Sequence, residues 1–232
     1  MEFVGDNMIR IIDTCSQIDT LFENEIFNLE KWEVYINSIY DNAADIFKED
    51  LKELLNDDSC AWKKDILPII NAVNKHPALE LLQCSFNKVT NRLNERIIDC
   101  FGDALDVDLV LYLGLCNGAG WVTNINGKDV ILLGVEKILE LDWQDEDSMY
   151  GLIYHELGHV YHKQYGRFHQ QSESSSQKFV WQLFTEGIAM YFEQALVNDF
   201  NYYHQDNGGW LTWCENHFQQ ISADFYRDLP TM

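Results

Sequence analysis

The amino-acid sequence predicts an α+β fold that is mostly helical, with one small β-sheet. Apolar residues at helical spacing recur through the first hundred residues, and two further helical patterns follow residue 149. Between these helical patterns, residues 107–134 are rich in β-formers and contain a hairpin turn. We therefore predict an N-terminal helical region over residues 1–104 and a second region with the sheet over residues 105–232. The two form one compact unit or two closely joined lobes.

Helical patterns dominate the N-terminal region. Residues 27–55 predict one long helix or two, and residues 64–74 and 77–101 predict two more, with Pro77 near the start of the last. That last helix carries an apolar stripe at Leu81, Leu82, Phe86, Val89, Leu93 and Ile97. We expect these helices either to shield the sheet or to cover a cleft as a pro-segment does.

The predicted sheet begins with residues 107–115, whose β-branched and apolar residues indicate a buried strand. Residues 121–125 and 129–134 then predict a hairpin around Asn126-Gly127, a strong two-residue turn. Residues 118–125 form either an edge to which an extended substrate adds as a strand or an ordinary hairpin that closes the sheet.

His155-Glu156-Leu157-Gly158-His159 is an H-E-x-x-H motif within a predicted helix over residues 150–165. Because residues four apart lie on the same helical face, the two imidazoles can bind one metal ion. Glu156 projects beside that pair, where its carboxylate can reach a water molecule at the metal. The motif therefore predicts Zn²⁺ and hydrolytic chemistry at neutral pH.

Catalytic zinc usually takes a third protein ligand and leaves one position open. The extended form of the motif requires glycine at position 162 and histidine at position 165, but the chain has His162 and Tyr165. Three ligands on one straight helix would crowd one edge of a tetrahedron. We therefore interpret His162 as a histidine near the site or on the surface, and look for the third ligand on another helix.

Residues 179–198 predict a strongly apolar helix interrupted by Glu186. A carboxylate among apolar neighbours is costly to bury without a partner, and zinc is such a partner. Gly187 places a small residue beside it, which would let the two helices approach. Glu193 is the competing candidate, but its neighbour Gln194 indicates a wetter position, so we prefer Glu186.

HELGH followed by TEGIAMYFE resembles the gluzincin clan of zinc metallopeptidases, most closely small bacterial predicted zinc-dependent proteases of the minimal kind. The resemblance covers residues 105–198. It implies a zincin-like fold, with a small sheet packed against the HELGH helix. It also implies that His155, His159 and Glu186 bind Zn²⁺ and that Glu156 is the general base and acid.

The chain departs from the gluzincin pattern at one position, and one role is unassigned. Many gluzincins orient a ligand histidine with an acidic residue four positions after the ligand glutamate, where this chain has Met190. That partner must therefore come from elsewhere. Members also commonly use a tyrosine or histidine after the ligand glutamate to stabilise the developing oxyanion. The candidates here are Tyr202, Tyr203, His204 and His217, of which we prefer Tyr203 and His204.

Composition limits the partners and the compartment. A formal net charge of −22 argues against binding to nucleic acid or to an anionic membrane. The sequence shows neither a signal peptide nor an apolar run long enough to span a bilayer, so the expected location is cytoplasmic. We predict a zinc metallopeptidase that acts on peptide or protein substrates. The alternative is a zinc-containing binding protein, or a latent protein whose cleft is occluded.

Overall fold

The computed structural model describes residues 8–55, 61–167, 174–204, 206 and 208–229. Most of these residues are helical, and the strands form one four-stranded and one two-stranded sheet, which confirms the predicted α+β class. The strands are β1 (Ile9–Asp13), β2 (Phe22–Glu23), β3 (Ile26–Phe27), β4 (Val107–Tyr112), β5 (Gly120–Ile125) and β6 (Lys128–Gly134).

The helices fall before, between and after the strands of the larger sheet. They are α1 (Leu29–Ile39), α2 (Ala43–Leu55), α3 (Leu67–Val73), α4 (Leu79–Thr90), α5 (Leu93–Phe101), α6 (Val135–Glu140), α7 (Glu146–Tyr165), α8 (Ser175–Val197) and α9 (Trp210–Asp228). A short 3₁₀ helix at Cys15–Leu21 and a π-helical turn at Trp62–Ile66 complete the described helical elements. Helix α9 occupies residues for which the sequence analysis assigned no element.

The four-stranded sheet has the order β1-β4-β6-β5. Strand β4 pairs in parallel with both β1 and β6, whereas β5 pairs antiparallel with β6. Every residue of β4 is buried, as expected for a central strand covered on both faces. The predicted hairpin is confirmed, because Asn126 and Gly127 both have the positive φ that a type I′ turn requires. Strand β5 lies at an edge of the sheet.

Strand β4 is shorter than the predicted strand over residues 107–115. The chain turns away after Tyr112 because the buried carboxylate of Glu136 accepts hydrogen bonds from the backbone N–H groups of Gly114 and Cys116, at 2.8 and 2.9 Å. Backbone groups that would otherwise extend the ladder are therefore satisfied by a side chain.

The division of the chain differs from the predicted one. The structure separates into two compact units, residues 1–152 and 153–232, rather than dividing after residue 104. The physical reason is the pairing of Ile9–Asp13 with β4, which makes the N-terminal region part of the sheet. The N-terminal region therefore contributes a strand to the sheet as well as helices.

For residues 27–55 the prediction was one helix or two, and the structure has two, whereas the single helix predicted over residues 77–101 is divided. Residues 27–55 form α1 and α2, and residues 77–101 form α4 and α5, with Arg92 between them in the left-handed conformation. Of the described helices, none is both long and apolar enough to cross a membrane.

Candidate metal centre

Helix α7 presents the two histidines of the motif. Asp145 stabilises its start, since its carboxylate accepts hydrogen bonds from the Ser148 N–H at 3.0 Å and the Ser148 hydroxyl at 2.7 Å. One turn of helix separates His155 from His159, and their ring centroids lie 4.9 Å apart. Their Nε2 atoms are 3.2 Å apart, so both nitrogens point to the same place.

Helix α8 brings a carboxylate to the same point. A capping box starts this helix, in which Ser174 and Gln177 satisfy each other's backbone N–H groups. Glu186 Oε2 lies 3.1 Å from His155 Nε2 and 3.6 Å from His159 Nε2. Within the described residues, this is the one group of three or more His, Cys, Asp or Glu side chains whose ligand atoms lie within 4.8 Å of one another.

The three atoms fit a tetrahedral zinc ion. Zinc binds nitrogen and oxygen at about 2.0–2.2 Å, so two ligand atoms of a tetrahedron stand about 3.4 Å apart. The observed separations of 3.1, 3.2 and 3.6 Å bracket that value. Burial and the neighbouring His155 lower the pKa of His159, which favours the neutral imidazole that binds metal.

The candidate centre is open to solvent on one side. The side chains of His155, His159 and Glu186 are 22%, 24% and 45% exposed. Three protein ligands with an accessible position are typical of catalytic zinc, whereas structural zinc is closed by four. His162 lies outside the cluster, with its ring 5.7 Å from Trp181 and 5.6 Å from Phe184, which agrees with its interpretation as a near-site residue.

A close approach of α7 and α8 holds the three candidate ligands together. A Cβ atom at Gly158 would lie 2.7 Å from the Cα and 3.0 Å from the carbonyl oxygen of Ala189, and 3.0 Å from Phe192 Cβ. Glycine in the motif therefore lets the two helices touch. Our prediction that Gly187 provides this approach is wrong, because a Cβ there meets nothing within 4 Å.

Glu156 is almost fully buried, with 8% of its surface exposed. Burial, reinforced by the charge of Glu186, raises its pKa to about 7. A carboxyl group with this pKa exchanges a proton readily near neutral pH, which suits a general base and acid. Its place beside the first ligand histidine follows directly from the motif.

Glu193 is the functional candidate that the sequence interpretation undervalued. It is 1% exposed, so the wetter position inferred from Gln194 is wrong. Its Oε1 lies 3.0 Å from His204 Nδ1 and its Oε2 lies 3.9 Å from His155 Nδ1. The sequence contained one indication of this placement: Glu193 follows Glu186 by seven residues, two turns along the same side of the helix.

The two predicted oxyanion donors lie next to each other after α8. His204 contacts Glu193, which faces the Nδ1 side of His155, whereas Glu186 faces the Nε2 side. The ring of Tyr203 packs 5.6 Å from His204 and 5.5 Å from Trp210. Burial and the charge of Glu193 raise the pKa of Tyr203, which keeps the phenol protonated and able to donate a hydrogen bond.

Comparison with known proteins adds no relative. No protein-family model matches the chain, and neither the curated proteins nor the solved structures include a match to it. The resemblance to gluzincins therefore rests on the HELGH and TEGIA motifs themselves.

Proposed function

We propose that the protein is a zinc-dependent hydrolase of peptide bonds. The observation that carries the proposal is the convergence of His155, His159 and Glu186 from two helices onto one point, with the spacing of a tetrahedral centre. Two nitrogens, one carboxylate and a solvent-facing position are the donor set of catalytic zinc in peptidases.

Zinc in such a centre polarises a carbonyl group and makes water acidic enough to be a nucleophile near pH 7. The task of Glu156 is to move the proton. Its buried carboxylate takes a proton from the attacking water and delivers it to the nitrogen of the departing amine. In the zinc-free protein, burial raises the pKa of Glu156 to about 7, within the range in which a carboxyl group can both accept and release a proton near neutral pH.

Tyr203 is the proposed hydrogen-bond donor to the developing oxyanion. Its phenol is protonated near neutral pH, and burial raises its pKa further. His204 is the weaker candidate, since its Nδ1 already contacts the buried carboxylate of Glu193. A hydrogen bond that forms only as charge develops on the substrate lowers the barrier without tightening substrate binding.

The substrate class proposed is an extended peptide or an unfolded protein segment. The side chains of His155, His159 and Glu186 are all partly exposed, which suits a substrate without fixed structure. That residues 118–125 bind the substrate as an added strand stays a prediction.

Glu156→Gln tests the proposal. The variant keeps the shape of the side chain and all three ligands but cannot accept a proton. We expect unchanged zinc content and a loss of about 10²- to 10⁴-fold in the rate of cleavage of unstructured peptides, measured by mass spectrometry. Glu215→Gln, an identical change at an exposed position on α9, is the control. Full cleavage by zinc-loaded Glu156→Gln would refute the assigned role.

A further inference from the structure

The carboxylate of Glu193 lies between two histidines, in contact with His204 and 3.9 Å from His155. We propose that Glu193 and His204 form a positioning pair, which fixes the orientation of His155 and couples the segment after α8 to the metal centre. The proposal rests on metal binding by the candidate centre but not on peptidase activity.

Burial makes the placement of this carboxylate significant. The side chains of Glu193 and His204 are 1% and 7% exposed. Glu193 Oε1 contacts His204 Nδ1, whereas Oε2 is buried and has no hydrogen-bond partner among the described residues. Leaving a buried acceptor unsatisfied destabilises a protein, so this oxygen requires a donor that the site supplies in another state.

A donor on His155 faces that oxygen. Its Nε2 points at Glu186 and its Nδ1 lies 3.9 Å from Glu193 Oε2. An imidazole that binds metal through Nε2 carries its proton on Nδ1 and donates it to a neighbouring acceptor, which fixes the ring. Because 3.9 Å exceeds a hydrogen bond, a small rotation of the ring completes the contact.

The contact with His204 Nδ1 fixes the orientation of the Glu193 carboxylate. Without it, Glu193 would be free to rotate away from His155, and the carboxylate would lose its one short contact. His204 belongs to the segment between α8 and α9, which is also held by a hydrogen bond from the Gln194 side-chain amide to the Tyr202 carbonyl at 3.0 Å. The order of this segment and the geometry of His155 are thereby linked.

Linkage between two events is reciprocal. If His204 strengthens metal binding through Glu193, then metal binding must in turn stabilise the segment that carries His204. Zinc should therefore slow amide hydrogen exchange in residues 199–204, although none of these residues is a proposed ligand. A purely structural contact would leave this exchange independent of zinc.

The experiment measures zinc affinity by competition with a chromophoric chelator. Glu193→Met removes both acceptors at similar volume and should weaken binding by about 10- to 100-fold, as loss of a partner of a ligand histidine does. Glu193→Gln retains one acceptor and should lose less. His204→Ala should weaken binding by several-fold and abolish the zinc-dependent protection of residues 199–204. Glu215→Met is the matched exposed control.

Combining the changes separates positioning from general damage. Because His204 acts through Glu193, His204→Ala should add little loss in the Glu193→Met background. Thermal melting of the zinc-free proteins identifies a variant that fails to fold. If Glu193→Met fails to fold, His204→Ala still tests the pair. Unaltered zinc affinity in folded Glu193→Met or His204→Ala refutes the positioning pair but leaves the metal centre standing. Failure of the unmodified protein to bind zinc overturns the metal centre and the pair with it.

Discussion

Gly158→Ala perturbs the contact that brings the two ligand helices together. The added methyl group would lie 2.7 Å from Ala189 Cα and 3.0 Å from its carbonyl oxygen, and backbone atoms cannot rotate out of the way. Overpacking of this kind costs about 1–3 kcal/mol, and the better helix propensity of alanine returns about 1 kcal/mol. We therefore expect a net loss of about 1 kcal/mol in the free energy of unfolding.

The same displacement acts on the candidate metal centre. His155 and His159 come from α7 and Glu186 from α8, so a shift of a few tenths of an ångström between the helices alters the separations of 3.1 and 3.6 Å. We expect zinc affinity to fall by about tenfold, equivalent to about 1.4 kcal/mol.

Gly187→Ala is the matched control on α8. A Cβ there meets nothing within 4 Å, so only helix propensity changes, and we expect a gain of about 0.5–1 kcal/mol. Urea unfolding of the zinc-free proteins and zinc titration give both quantities. The reasoning is refuted if Gly158→Ala is as stable as Gly187→Ala and binds zinc as tightly as the unmodified protein.

Three further predictions concern single side chains. Burial raises the pKa of Glu136 to about 7 from 4.5, so its stabilising effect is complete below about pH 4.5 and is lost as the pH rises through 7. Between pH 4.5 and 8 the free energy of unfolding of Glu136→Gln, measured with urea, should fall by about 3 kcal/mol less than that of the unmodified protein. The same fall in both proteins would contradict this prediction. His162→Ala should bind zinc within about twofold of the unmodified protein, because its ring packs on Trp181 and Phe184; a larger loss would make it a ligand. Glu186→Ala should weaken zinc binding by more than about 100-fold by removing one of three ligands, and unchanged affinity would exclude it as a ligand.

Local patterns predicted the elements that present the site. The spacing of His155 and His159 and the Asn126-Gly127 turn each act within a few residues, where sequence and conformation are directly linked. The same is true of the apolar helix that carries Glu186. These features are short-range, so a single sequence contains enough information to locate them.

Long-range packing explains the expectations that differed from the structure. Pairing of Ile9–Asp13 with β4 spans about a hundred residues and leaves no mark in either segment alone. The polarity of Gln194 does not predict whether Glu193 is buried, because adjacent residues on a helix face different directions. For the same reason Gly187 is open whereas Ala189 lies against Gly158. Burial depends on what a helix packs against.

The most direct test of the account is a crystal structure of the zinc-soaked protein with anomalous scattering at the zinc edge, together with the zinc content in solution. The account predicts one zinc per chain, bound by Nε2 of His155, Nε2 of His159 and the carboxylate of Glu186, with the fourth position taken by solvent. Zinc bound elsewhere, or at this centre by four side chains, would contradict a catalytic metal site.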